Sequence, residues 1–281
     1  NLLSLTNDGL LGFRRVPGIA GATLVPDLAT TIPDPTDGGR TYTFQLRPGI
    51  RYSSGAPVMP EDFRRAIERV FANLDPYGDP SGGVPYFSGI AGAEDCMPGN
   101  PCDLSSGIVA DDAARTVTFH LTAPDPDFVF KLTMPFAFAV PAGTPDMLPR
   151  TTPVPATGPY LIQRYTLGKE IVLVRNPQFR QWPSRPDGFP DRIVWRLGPD
   201  AGPMVDRTLA GRADLMLPAP PVERFTELMT NHAGQLYLDP QPHTGFVFLN
   251  SQIPPFDDER VRRALNYAID RQAIVDQVFG P

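Results

Sequence analysis

Two stretches of the chain alternate strictly between apolar and polar residues. Within 40–47, Tyr42, Phe44 and Leu46 face one way while Thr41, Thr43 and Gln45 face the other. Within 115–121, Val117, Phe119 and Leu121 repeat the pattern. A period of two is that of a strand with one buried face, so both stretches are predicted as half-buried strands. Each follows a turn signal, Asp37-Gly38-Gly39 for the first and Asp111-Asp112 for the second. Between them the period changes. Phe63, Ala66, Ile67, Val70 and Phe71 recur at helical spacing, which predicts a helix over 60–71. Pro60 suits its first position, and Glu61 and Asp62 suit the positive end of its dipole.

Residues 73–110 lack periodicity and are rich in Gly, Pro and Asp, which predicts a long loop. A short helix carrying Phe128, Phe130 and Leu132 is expected within 124–134. The Pro- and Thr-rich stretch 141–159 reads as a crossing between lobes. Tyr160 to Tyr165 and Glu170 to Arg175 flank Leu167-Gly168 and predict a hairpin, and Arg192 to Leu197 predicts one more strand. Helices are expected from Met204 to Ala210, stopped by Gly211, and from Val222 to Met229. Leu236 to Leu238 and Gly245 to Leu249 read as strands. Asp257 or Asp258 can cap a helix from Val261 to Ala268, and Asp270 a last one carrying Ile274, Val275, Val278 and Phe279. Strands and helices alternate without a βαβ rhythm, so the fold class is mixed α/β.

Composition narrows the function. The chain has 281 residues and a formal net charge of −6. That charge disfavours nucleic acid or an anionic membrane surface as the main partner. Proline is abundant at 35 residues, so connections should be many and stiff. No run approaches the ~20 apolar residues that span a bilayer. The chain starts at Asn1 without a basic and apolar leader, so any signal peptide is expected to be already removed.

The two cysteines, Cys96 and Cys102, bracket Met-Pro-Gly-Asn-Pro. Zinc needs about four ligands, and no histidine is near. A local disulfide is the favoured reading, with two free thiols as the alternative. A bridge over so short a loop contributes roughly 2–3 kcal/mol and implies an oxidising compartment.

Enzyme readings find little support. The three histidines are His120, His232 and His243, and no Gly-x-Ser-x-Gly is present. Asp111-Asp112 and Asp125-Pro-Asp127 read better as turn acids than as a glycosidase pair. Gly82-Gly83 lacks the lysine of a phosphate loop, and Asp75, Asp79 and Asp95 do not match the spacing of an EF-hand. No metal, cofactor or catalytic residue is therefore expected.

Five segments in order carry a resemblance. They are Leu24-Val-Pro-Asp-Leu-Ala29 with Tyr42-Thr-Phe-Gln-Leu-Arg-Pro-Gly49; Ser54-Gly-Ala-Pro-Val58 with Glu61-Asp62; Thr157-Gly-Pro-Tyr160; Arg175-Asn-Pro-Gln-Phe179; and Pro254-Pro-Phe-Asp257 followed by Arg260-Val-Arg262 and Tyr267-Ala-Ile-Asp-Arg271. Together they resemble the family 5 solute-binding proteins of bacterial ABC importers, the oligopeptide, dipeptide and nickel binders. The resemblance implies a periplasmic-binding-protein-like fold of type II, cluster C. It implies a lobe I built from 1–22 and 151–245, a lobe II at 23–150, and at 246–281 a crossover that only begins lobe III. The family's members are nearly twice as long. The chain therefore reads as truncated at both ends, without the first strand and helix of lobe I and with lobe III largely missing.

The same resemblance implies an extracytoplasmic receptor, periplasmic or lipid-anchored. It would act as a monomer, close its lobes on a small solute, most simply an oligopeptide, and deliver it to the transmembrane subunits of an ABC permease. Candidate ligand contacts are Tyr86 in Val84-Pro-Tyr-Phe-Ser88, Phe136 after Met134-Pro, Phe246 and Phe248 on the expected crossover strand, and His243 beside it. The plain alternatives are loop anchoring for Tyr86, loop packing for Phe136, core packing for the phenylalanine pair and a surface position for His243. Two other functions stay open: a secreted hydrolase acting on peptides or glycans, and a structural portion that binds nothing alone.

Overall fold

The computed structural model describes residues 2–74, 81–97, 99–145, 152–198, 200–237 and 246–278. The chain divides into two compact units, Asn1–Leu197 and Gly198–Pro281.

The first unit holds two cores. Its larger core is built on a three-stranded antiparallel sheet. The strands are β3 (Thr41–Gln45), β4 (Ile108–Asp111) and β5 (Thr116–His120), with β5 in the centre; the short pair β1 (Leu11–Phe13) and β2 (Leu24–Pro26) lies before them in the chain. Tyr42 pairs with Phe119 and Phe44 with Val117, so the alternating apolar residues of both predicted strands fall on one face. All four are buried. The other face carries threonines: Thr43 Oγ1 lies 3.0 Å from Thr118 Oγ1, and Thr41 Oγ1 lies 3.2 Å from His120 Nδ1.

Helix α2 (Glu61–Ala72) buries the predicted stripe Phe63, Ala66, Ile67, Val70 and Phe71. It begins one residue later than expected, and Pro60 precedes it. Asp62 does more than meet the dipole. It is buried and accepts from the Met59 backbone N–H (2.9 Å) and the Tyr52 hydroxyl (3.0 Å), which pins the Ser54-Gly-Ala-Pro segment to the helix start. Helix α4 (Phe128–Lys131) supplies Phe128, whose ring meets Phe119 at 5.3 Å and Tyr42 at 5.2 Å.

Two expectations for this core need correction. Residues 73–110 are not one long loop, because β4 occupies their end and α3 (Val84–Phe87) their middle. Strand β4 has only four residues, Ile-Val-Ala-Asp, and is held by pairing with β5 rather than by any pattern of its own. Strand β5 starts at Thr116, not Arg115. Arg115 takes a left-handed turn (φ 55°) and its guanidinium donates to the carbonyls of Arg47 and Val58. The pair β1–β2 is too short to show alternation. Cys96 and Cys102 are joined as a disulfide with 5.0 Å between their Cα atoms, packed against the core.

The second core belongs to an antiparallel sheet of β6 (Tyr160–Thr166), β7 (Glu170–Arg175) and β8 (Arg192–Arg196), with β7 central. The hairpin and third strand lie where the pattern put them. Gly168 takes the positive φ (68°) that the tight turn requires. Tyr160, Ile171 and Leu173 pack with Leu5 of α1 (Leu3–Thr6) and with Leu2 just before it, so residues 2–5 join residues far along the chain.

Between the two cores the chain crosses repeatedly, and the crossings are polar. Of the eight buried polar or charged residues among those described, only Asp62 lies elsewhere; Thr6, Asn7, Asp8, Asp27, Thr157, Asn176 and Arg185 gather at this seam. Thr6 O accepts from the N–H groups of Thr157 (2.9 Å) and Gly158 (2.8 Å), and Asn176 Nδ2 donates to Gly158 O (2.8 Å). A Cβ at Gly158 would stand 2.9 Å from Leu5 O, so the glycine of Thr157-Gly-Pro-Tyr allows the two backbones to touch.

The second unit is mainly helical: α5 (Ala201–Leu209), α6 (Phe225–Asn231), α7 (Glu259–Ala268) and α8 (Arg271–Val278). Val205, Phe225 and Leu228 are buried, and Arg224 ties α5 to α6 through Asp206 (3.0 Å) and Glu227 (2.5 Å). Asp258 caps α7 by accepting from the Arg260 N–H (2.8 Å), and Asp270 accepts from the Ala273 N–H (3.0 Å). The expected strands at 236–238 and 245–249 are not found: 236–237 and 246–249 form no strand. Their apolar pattern is strand-like, but a strand needs a ladder partner.

Candidate functional site

The candidate ligand residues fall into two groups, one in each unit. Tyr86 sits on the single turn of α3. Phe87 anchors that turn in the core, which leaves Tyr86 40% exposed. The turn starts against α2 and Phe136. A Cβ on Gly83 would stand 2.7 Å from Val70 Cγ1 and 2.9 Å from Phe136 Cγ, so only glycine permits the approach. Phe136 itself rides on a 3₁₀ turn, Pro135–Ala137, and is 38% exposed. Tyr86 and Phe136 thus flank the same short helix, a proximity that their separation of fifty positions in the sequence conceals.

Beside Tyr86 lies a small cleft of about 130 Å³, lined by Tyr86, Ile90, Leu121, Pro124, Asp125 and Phe128 among others. Its wall is mostly apolar. The one carboxylate, Asp125, is paired with Lys131 at 2.5 Å, and Tyr42 donates to the Asp125 carbonyl. The cleft offers ring faces and a phenol. That chemistry suits van der Waals capture and hydrogen bonding.

In the second unit, Phe246 and Phe248 are strongly exposed, at 68% and 86%. Their rings meet edge to face, 4.7 Å apart. They share a side as the pattern predicts, yet they belong to no core and no strand. His243 lies outside the described residues.

The two described histidines have local tasks. His120 faces Thr41 on the polar side of the larger sheet, and the backbone N–H of His232 closes α6 on Leu228 O. Among the described residues, no cluster of His, Cys, Asp or Glu is arranged to hold a metal ion. No helix among them is long and apolar enough to cross a membrane.

The most deeply buried ion pair described, Asp8 with Arg185, lies at the seam, unannounced by any local pattern. Asp8 is wholly buried and meets Arg185 Nε at 2.8 Å, the Thr157 hydroxyl at 2.8 Å and Arg15 at 3.7 Å. Burial pushes its carboxyl up, against the opposing pull of Arg185. Asp27 accepts from the Trp182 indole N–H at 3.1 Å. In the sequence, Asp8 reads as part of an Asn-Asp-Gly turn and Arg185 as a residue in a Pro-rich loop. Neither shows a spacing that would mark it as buried.

Comparison with known proteins gives these features a family. The model described as "Bacterial extracellular solute-binding proteins, family 5 Middle" matches residues 23–281. The periplasmic oligopeptide-binding protein OppA of Salmonella typhimurium is 29% identical over 249 residues, covering 85% of this chain and 44% of that protein. Heme-binding protein A of Haemophilus influenzae is 30% identical over 260 residues, covering 87% and 44%. The structure of the Escherichia coli murein tripeptide binding protein MppA superposes with a TM-score of 0.77 at 25% identity, covering 99% of this chain and 52% of that one. The chain spans about half the length of the relatives it matches. With the family model covering nearly the whole chain and the fold matching over its length, the chain belongs to the bacterial extracellular solute-binding proteins of family 5.

Proposed function

We propose that this chain is the larger part of lobes I and II, with the start of lobe III, of an extracytoplasmic receptor that captures a small peptide and hands it unchanged to an ABC permease. The observation that carries this reading is the family match over 23–281 together with relatives named for oligopeptides and a murein tripeptide. The heme-binding relative shows that the scaffold also carries other cargo. Peptide is favoured because the exposed groups near Tyr86 are a phenol and aromatic faces, which suit an extended backbone with varied side chains.

The lobe assignment has support in the first unit. Residues 2–5 share a core with β6–β8, as a lobe I of 1–22 and 151–245 requires. Most of the larger core falls between Leu24 and Ala139, within the range given to lobe II. The disulfide fits an oxidising compartment outside the cytoplasm. In this reading Tyr86 and Phe136, within lobe II, are ligand contacts, and Phe246, Phe248 and His243 stay candidates on the same family grounds. Binding works by lobe closure, with no chemistry on the cargo and no cofactor.

The test is a thermal-shift and calorimetry series on the full-length protein with di- to hexapeptides. At least one peptide length should raise Tm, and Tyr86→Ala should weaken that peptide about tenfold, as loss of an interfacial aromatic does. Peptides that are cleaved during incubation would establish the hydrolase instead, and a panel without any stabilising peptide would remove peptide as the cargo.

A further inference from the structure

The seam holds two buried carboxyls but only one fully buried guanidinium. Arg185, on the loop between β7 and β8, is committed to Asp8 at 2.8 Å. Asp27, just after β2, is buried and has no ion pair within 4 Å among the described residues. What it has is the indole N–H of Trp182, from the same loop as Arg185. The charged groups that face it come from every side of the seam. Asp8 approaches from the end of α1, Arg15 from the turn after β1, and Arg185 from the β7–β8 loop. Arg47, following β3, gives its Nε–H to the backbone carbonyl of Asp27 (2.7 Å), with its guanidinium 6.0 Å from the centre of the Trp182 ring. Gly12 of β1 closes the remaining side; a Cβ there would stand 3.3 Å from Asp27 Oδ2.

We propose that Asp27 is a proton-dependent lock: as a neutral acid it holds the Trp182–Arg185 loop across the seam, and on ionising it loosens that loop. A neutral carboxyl accepts the indole N–H and adds no second negative charge beside Asp8. A second buried carboxylate beside Asp8 has no cation within ion-pair distance among the described residues: Arg185 lies against Asp8 at 2.8 Å, and Arg185 and Arg15 act on Asp27 only from farther away. Burial first, and the Asp8 charge second, raise the Asp27 carboxyl to about 8, against the weaker opposing pulls of Arg185, Arg15 and the Trp182 N–H. The sign follows directly. Between the ordinary carboxylate range and about 8, the folded state holds a proton that the unfolded chain has lost. Stability contributed by that proton is complete at acid pH and disappears as pH rises through the folded value.

Asp27→Asn retains an acceptor for the indole and cannot ionise. Urea unfolding of the wild-type chain and of D27N from about pH 6 to about pH 9 should separate them. The wild-type unfolding constant should gain a contribution of up to tenfold per pH unit below pH 8 that D27N lacks. D27N should therefore be the more stable of the two at pH 9. Trp182 reports the titration directly. The chain has two tryptophans, so Trp195→Phe leaves Trp182 alone. Its fluorescence should titrate near pH 8, and the added D27N change should abolish that step. Equal pH slopes for wild type and D27N would overturn the lock. So would a flat W195F signal from pH 6 to 10, and that result decides even if D27N fails to fold.

Discussion

Arg185→Met should destabilise the folded chain by about 3–5 kcal/mol, the usual consequence of removing one partner from a buried pair. The guanidinium side chain is 2% exposed and the Asp8 side chain not at all. Methionine fills much of the arginine's volume, so the loss is electrostatic: Asp8 keeps the Thr157 hydroxyl and a distant Arg15, but no adjacent cation. Urea unfolding should show a lower midpoint with an unchanged slope. The double variant Asp8→Asn with Arg185→Met should recover part of the loss, because no bare charge then remains. An effect under about 1 kcal/mol would mean that the pair behaves like an exposed surface bridge and that the seam is wet.

Phe119→Ala should cost about 3–5 kcal/mol, in the range of large-to-small changes in a rigid core. Phe119 is fully buried on the central strand of its sheet. It meets Phe44 edge to face at 5.8 Å and Phe128 at 5.3 Å, so truncation opens a cavity shared by two strands and a helix. Phe130, two positions along α4 from Phe128, is 46% exposed. Phe130→Ala should stay within about 0.5 kcal/mol, as surface changes do. Similar losses at the two positions in calorimetry would show that α4 is rotated from the orientation described above.

Much of the fold was legible because it is written in side-chain periods. Tyr42 and Phe44, Val117 and Phe119, the stripe of α2 and the β6–β7 hairpin each announce a buried face. Strand β4 was not legible, since four residues held by a neighbour carry no period of their own. The reverse error came at 246–249, where the apolar run Phe-Val-Phe-Leu reads as a strand but forms none among the described residues. The seam was hidden for a related reason. Asp8, Asp27 and Arg185 are buried by the crossing of distant segments, and no local pattern records that.

The candidate site was legible only by resemblance. Tyr86 and Phe136 lie fifty positions apart, and it is Gly83, tight against Val70 and Phe136, that brings them to one helix. Nothing in either local sequence distinguishes an aromatic that anchors a loop from one that waits for a ligand. Family membership supplies the functional frame, and the chain's own side chains supply the exposed rings within it.

Whether the protein holds a peptide is read most simply by native mass spectrometry of the full-length protein, purified under gentle conditions. A receptor that carries its cargo unchanged should show a mass excess matching one bound small peptide, released intact when the protein is unfolded. A protein that shows no excess and still converts added peptide to fragments would contradict it.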